Sequence, residues 1–231
     1  MKTNKEYKNK ALEALSGNWS QAILAAFVVM VLSELTYAMA WGLDRLSVSS
    51  VVEKGEWVLP TITVAGFAVI LAYALFLLVP VAVGMINSFN SLYCKSDGQI
   101  LWNMRELSFS DCGRSIAGML MMSVVTSVCS LLLLVPGFIA SFALFLVPYL
   151  LKDNPELSIM DTLRLSRRMM EGHKMQLFKL QLSFIGWILL NVLTLGIGML
   201  WLMPYMMTAF AAFYQDVKNE YEFNLFNKSN C

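Results

Sequence analysis

The sequence predicts an all-α, polytopic membrane protein. Six transmembrane helices are expected, in three helical-hairpin units with short amphipathic helices on the cytoplasmic side. Three observations carry this. Of the 231 residues, 58% are hydrophobic and 14% charged, against about a quarter charged in an ordinary soluble domain. The apolar residues are also clustered. No charge falls in Trp57 to Cys94, Ser115 to Leu151 or Leu180 to Gln215, and Glu34 stands alone between Glu13 and Asp44. Each stretch exceeds the ~20 residues that cross a bilayer. Finally, with six helices, all 17 lysines and arginines except Arg45 and Lys54 fall on one side. The positive-inside rule makes that side cytoplasmic, with both termini on it.

Other classes fit poorly. A soluble bundle would need several buried helices with almost no polar face. An outer-membrane barrel would alternate apolar and polar residues, whereas these runs are continuous. A net charge of +1 gives no footprint for nucleic acid. The four cysteines, Cys94, Cys112, Cys129 and Cys231, have no metal-ligand spacing, and a disulfide framework is not expected. The basic start lacks an adjacent apolar core, so the first membrane helix is expected to serve as an uncleaved insertion signal.

Residues 1–17 are expected to form a cytoplasmic amphipathic helix. Thr3-Asn4-Lys5-Glu6 has the form of a capping box, Tyr7, Ala11 and Leu15 share a face, and Gly17 can stop the helix. Two settings stay open: the membrane surface, with Lys2, Lys5, Lys8 and Lys10 near lipid phosphates, or plain solvation. Residues 18–217 form the membrane domain. Its first helix, near 20–41, is bracketed by Trp19 and Trp41, and a polar loop from Gly42 to Leu59 follows. The second, near 60–83, can continue as a less apolar helix to Tyr93. A short helix is expected at Leu101 to Leu107.

Ser115 to Leu151 is too long for one span, and Pro136-Gly137 near its centre signals a turn. Two helices, 116–134 and 138–151, therefore make a tight hairpin. Lys152-Asp153-Asn154-Pro155 breaks the run, and Ser158 with Asp161 caps a helix ending at Gly172. The last pair, 180–195 and 199–215, turns at Leu195-Gly196-Ile197-Gly198. Both hairpins are short, which leaves tilting, a thinned bilayer or re-entry open. Residues 218–231 read as a mobile cytoplasmic tail.

The plan repeats. Gly17, Gly113 and Gly172 each end a polar helical stretch, and Pro80, Pro148 and Pro204 each follow a Leu-x in a second helix. This reads as three amphipathic-helix-plus-hairpin units.

Few residues suggest chemistry. Glu34 is the one ionisable group well inside a membrane helix, either a proton or cation site or an acid satisfied near the outer interface. Pro80, Pro148 and Pro204 each free the carbonyl four residues back, on Phe76, Leu144 and Leu200. Those carbonyls could line a central polar spot, or the prolines could simply kink helices for packing. Asn87 and Asn191 read as interhelical hydrogen-bonders. Arg164, Arg167, Arg168, Lys174 and Lys179 form the most basic region, either a contact for anionic headgroups or a topology determinant. His173 has no ligand at metal spacing. No catalytic triad, phosphate loop or paired catalytic acids are recognisable.

Leu134-Val135-Pro136-Gly137, Pro148-Tyr149, Lys152-Asp153-Asn154-Pro155-Glu156-Leu157-Ser158 and Ser166-Arg167-Arg168-Met169-Met170-Glu171-Gly172 together resemble a bacterial integral membrane family. So do Leu182-Ser183-Phe184-Ile185-Gly186-Trp187, Thr194-Leu195-Gly196-Ile197-Gly198, Trp201, Pro204-Tyr205, Ala212-Phe213-Tyr214 and the early Leu15-Ser16-Gly17-Asn18-Trp19. The family is domain of unknown function 975 (DUF975). The resemblance is densest from Pro136 to Tyr214 and implies a place in the bacterial inner membrane. More distantly, the chain is similar to the membrane domain of glycerophosphodiester phosphodiesterases.

The functional expectation is a non-enzymatic membrane module, without cofactor, that binds anionic lipid or another membrane protein. The alternative is a small transporter using Glu34. An enzyme acting on lipid comes third.

Overall fold

The computed structural model describes residues 3–54, 59–95, 98–132, 134–194 and 196–229, and among these all regular structure is helical. Lys2, Trp57, Leu195 and Cys231, which entered the reading above, lie outside the described residues.

Helix α1 (Asn4–Leu15) begins at the expected box: the Thr3 side chain accepts from the Glu6 N–H, and the Glu6 carboxylate accepts from the Thr3 N–H. It ends before Gly17, whose φ of 84° a side chain would strain. Its apolar face is covered by protein, not lipid. Tyr7, Ala11 and Leu15 are fully buried. The Tyr7 hydroxyl donates to Asp216 at 2.9 Å, and its ring meets Phe213 edge-on. Lys8 donates to the Ser183 carbonyl at 2.7 Å and lies 4.3 Å from the Phe184 ring centre. This burial lowers the Lys8 pKa. A face of only three apolar residues is thus consumed in tertiary packing, which corrects the expectation of a free surface helix.

Helix α2 (Trp19–Lys54) runs through most of the expected loop after Trp41. Between Gly42 and Gly55 there is no proline or glycine, so polarity alone does not stop the helix. Helices α3 (Leu59–Tyr73) and α4 (Val79–Lys95) form one rod joined by a π turn, Ala74–Leu78, where the Val79 N–H reaches the Ala74 carbonyl. The wide turn lies directly before Pro80. It accommodates a ring that would otherwise collide with the carbonyl of Phe76. The rod confirms that the second helix continues to Tyr93. Helix α5 (Ile100–Phe109) covers the predicted 101–107 and lies along α4.

Helices α6 (Cys112–Leu132) and α7 (Leu134–Ala143) pack against each other. Pro136 and Gly137 are in the first turn of α7, not in the connection. Proline suits that position because an N–H there would have no helical partner. Gly113 likewise lies in the first turn of α6, so it does not end a preceding helix as expected. Helix α8 (Val147–Asp153) follows a turn and carries Pro148 near its start.

Helix α9 (Ile159–Met169) is capped by Ser158 as predicted. Gly172, at φ 83°, separates it from α10 (Lys174–Leu182). The expected helix 180–195 is broken: α10 ends at Leu182, and α11 (Ile185–Leu193) starts after Ser183 and Phe184. Gly196 makes the predicted turn with φ 88°. Helix α12 (Met199–Ser229) then continues through the segment expected to be a mobile tail. Val217, just before that segment, is fully buried, and Tyr221 within it packs on the core, as a continuing helix allows.

The largest core cluster surrounds α12, with Ala209 to Tyr214 meeting Tyr7, Leu146, Tyr149, Met170, Leu177 and Phe184. A second joins Ala22, Ala25 and Ala26 of α2 to Met85 and Phe89 of α4 and Ile100 of α5. The exterior is also apolar: Leu131 is 86% exposed, Leu193 80% and Phe67 71%. In water such a surface would drive aggregation, whereas lipid accepts it. Five helical segments among the described residues are long and apolar enough to cross a membrane: Trp19–Leu43, Ala65–Cys94, Cys112–Leu131, Val135–Asp153 and Lys174–Leu193.

Candidate functional site

The segments α4, α8 and α12, which carry Pro80, Pro148 and Pro204, come together, with α4 packed on both α8 and α12. Tyr149 of α8 stacks on Tyr214 of α12, with ring centres 4.6 Å apart and planes 15° apart. Beyond these rings the polar ends of the helices enclose a cavity of about 360 Å³. Asn87, Asn90 and Ser91 of α4 line it, with Lys152 and Asp153 of α8 and Gln215 and Lys218 of α12.

Hydrogen bonds fix most of this wall. Asp153 Oδ2 accepts from the Tyr214 hydroxyl and from Lys218 Nζ, each at 2.6 Å. Gln215 Nε2 donates to Asn90 Oδ1 at 2.8 Å. Lys152 Nζ donates to Ser110 Oγ at 3.0 Å. Asn87, 3% exposed, donates from Nδ2 to the carbonyls of Val83 (2.9 Å) and Pro148 (3.0 Å). Its Oδ1 is buried and, among the described residues, meets no donor. Reversing the amide would put that oxygen against two carbonyls, so its orientation is determined. The wall therefore offers an unused acceptor, two ammonium groups and one carboxylate.

The prolines thus mark the meeting place, though not by the expected atoms. The Leu144 carbonyl accepts from the Val147 N–H at 3.1 Å. The carbonyls that find side-chain partners belong to Pro148 and to Pro204, the latter accepting from Thr208 Oγ1 at 2.8 Å. Phe76 is exposed. Glu34 sits on an exposed side of α2 and does not line the cavity. Asn87 is the interhelical hydrogen-bonder expected of it. Asn191 is one as well: its Nδ2 donates to Met199 Sδ of α12 at 3.5 Å, while its backbone carbonyl accepts from the Gly196 N–H at 3.0 Å.

Sequence reasoning missed Asn90, Ser91, Lys152, Asp153, Gln215 and Lys218 as a group. One signal was available. Ser91 and Gln215 stand 11 residues after Pro80 and Pro204 respectively, and Cys94 and Lys218 stand 14 after them. Those are helical spacings on one face.

The expected basic region lies on α9 and α10. Arg164, Arg167 and Arg168 are exposed, while Thr162, Leu163, Ser166 and Met169 are buried. Arg164 pairs with Asp161 at 3.1 Å. The Ser158 hydroxyl, 2.6 Å from Asp161, and then Arg164 hold the Asp161 carboxyl below its ordinary range. Lys174 lines a recess of about 300 Å³ between α7 and α10, whose other walls are Phe138, Ile139, Phe142, Met175 and Phe178.

The class these features define is an all-helical protein with five segments fit to span a bilayer and a polar cavity where its proline-bearing helices meet. Within that class, the chain belongs to the family described as "Protein of unknown function (DUF975)", whose model matches residues 58–221. No curated protein and no solved structure matches the chain.

Proposed function

We propose that the chain is a non-enzymatic module of the bacterial cytoplasmic membrane that binds anionic lipid at its cytoplasmic face. The observation that carries this reading is the recess between α7 and α10, where Lys174 is the sole charged side chain in an otherwise apolar lining. An acyl chain fits beside Phe138, Phe142 and Phe178, and a phosphate at its end meets an ammonium. The exposed face of α9, with Arg167 and Arg168, adds positive charge at the same end.

In this reading the membrane domain has six spans in three units, the sixth in the first half of α12. Pairwise packing supports three units: α5 lies on α4, α9 on α8, and α1 on α12. Each amphipathic helix thus covers the second helix of the preceding unit, and α1 closes the series. Glu34 faces outward, so its position gives transport no added support.

The test is native mass spectrometry from nanodiscs of phosphatidylcholine with a minor share of phosphatidylglycerol. Enrichment of phosphatidylglycerol on the protein, reduced by Lys174→Gln, is expected. Retention of both lipids in their bulk ratio would overturn the reading.

A further inference from the structure

We infer that the polar cavity between α4, α8 and α12 is a binding site for a small phosphate ester that carries its own hydroxyl donors. It is separate from the α7–α10 recess and shares no lining residue with it.

The cavity walls hold two lysines, Lys152 and Lys218, and one aspartate, Asp153. One positive charge is left over, which selects an anion. Lys218 is already tied to Asp153, and Lys152 donates to the neutral Ser110 hydroxyl, with the Asp111 carboxylate acting on it from outside the lining. An anion entering here completes the pairing without displacing the Asp153 contacts. The two lysines arise from different helices. A tetrahedral phosphate, with three charged oxygens pointing apart, suits ammonium groups that approach from two sides better than a planar carboxylate does.

The second half of the argument is Asn87. A buried acceptor without a donor is destabilising unless something occupies it. Asn87 is a wall residue 3% exposed, and among the described residues its carbonyl oxygen accepts from nothing. The group that meets it must donate. Inorganic phosphate monoanion and dianion bring mostly acceptors, whereas a polyol ester brings hydroxyls on the same molecule. A cavity of about 360 Å³ admits a three-carbon phosphate ester.

The same chemistry has two sources: soluble glycerol phosphate, or the glycerol phosphate headgroup of a lipid. Full-length protein in phosphatidylcholine nanodiscs is titrated calorimetrically with sn-glycerol 3-phosphate and with inorganic phosphate, and a parallel set of discs carries phosphatidylglycerol. The expected result is saturable binding of glycerol phosphate, at least tenfold tighter than inorganic phosphate, or selective retention of phosphatidylglycerol. The first names a soluble ligand and the second a headgroup.

Lys152→Gln and Lys218→Gln should each weaken binding at least tenfold, while Lys174→Gln leaves it unchanged. Ser91→Phe fills the cavity without removing any lysine or Asn87, so it decides the matter if Lys218→Gln fails to fold by releasing Asp153. On the unaltered protein, the ligand should also slow alkylation of Cys94, which lines the cavity and is exposed. Absence of binding from both sources would overturn the proposal. So would binding that Ser91→Phe leaves intact, or binding lost in Lys174→Gln alone.

Discussion

Asn87 on α4 hands one amide hydrogen to the Pro148 carbonyl on α8, 3.0 Å away, and the other to Val83 on its own helix. A proline residue keeps its acceptor although it has lost its donor. Here that acceptor, near the start of a seven-residue helix, ties α8 to α4. The bond is buried, with Asn87 3% exposed, so no solvent replaces it when it is broken.

Asn87→Leu removes this link while nearly preserving volume. It removes the second bond accepted by the Pro148 carbonyl, which keeps its place inside α8, a loss of ~0.5–1.5 kcal/mol. Thermal unfolding in mild detergent should therefore begin at lower temperature than in the wild type. An unchanged transition would mean that the α4–α8 contact rests on apolar packing alone.

Asp153 accepts two charge-assisted or hydroxyl bonds on a single oxygen, from Tyr214 and Lys218. Its side chain is 22% exposed and that of Lys218 30% exposed, so solvent screens part of the ion pair. Tyr214, fully buried, leaves its hydroxyl no other described route to water. Asp153→Asn should therefore destabilise more than Tyr214→Phe. In a double-mutant cycle, Asp153 and Lys218 should couple by ~0.5–3 kcal/mol. Strict additivity would mean that the pair contributes nothing to holding α8 on α12.

Helix α1 offers a clean contrast between two losses at one residue. Tyr7→Phe deletes the hydroxyl shared with Asp216 and Gln176 and should reduce stability by ~1 kcal/mol. Tyr7→Ala also empties a fully buried site and should lose ~3–5 kcal/mol. The readout is limited proteolysis near Gly17, where release of α1 would expose the chain. Equal protection in both variants would show that α1 is held by other contacts.

Why the sequence disclosed some of this and not the rest follows from the range of each signal. The capping box at Thr3 and Glu6 and the left-handed glycines 17, 172 and 196 act within four residues, so they were legible. Apolar runs reported membrane-like helices for the same reason, since lipid sorts residues by hydropathy and needs no partner. Pro136 was misplaced because proline marks either a turn or the first turn of a helix, and only the neighbouring geometry chooses. The break at Ser183 and Phe184 carried no breaker residue at all. Phe184 is fully buried against Tyr205 and Phe210, so tertiary packing sets that bend. Asn87 was recognisable as a bonding residue, but its partner 61 positions away was not. The cavity depends on three helix ends meeting, which no local pattern encodes.

Gly137 lies where α7 passes closest to α6. A Cβ placed on it would stand 2.8 Å from Ser130 Cα and closer still to the Ser130 hydroxyl. The obstacle includes backbone, which cannot rotate aside as a side chain tip can. Gly137→Ala should therefore push the two helices apart and lower stability, despite the better helix propensity of alanine. Gly42 is the matched control: it lies inside α2 with nothing within 4 Å of its would-be Cβ. Gly42→Ala should be neutral or stabilising by up to ~1 kcal/mol. Comparing the two thermal transitions separates steric contact from propensity, because both substitutions add the same methyl group to a helical glycine. If Gly137→Ala matched Gly42→Ala, the close approach of α6 and α7 would not be what holds that pair together.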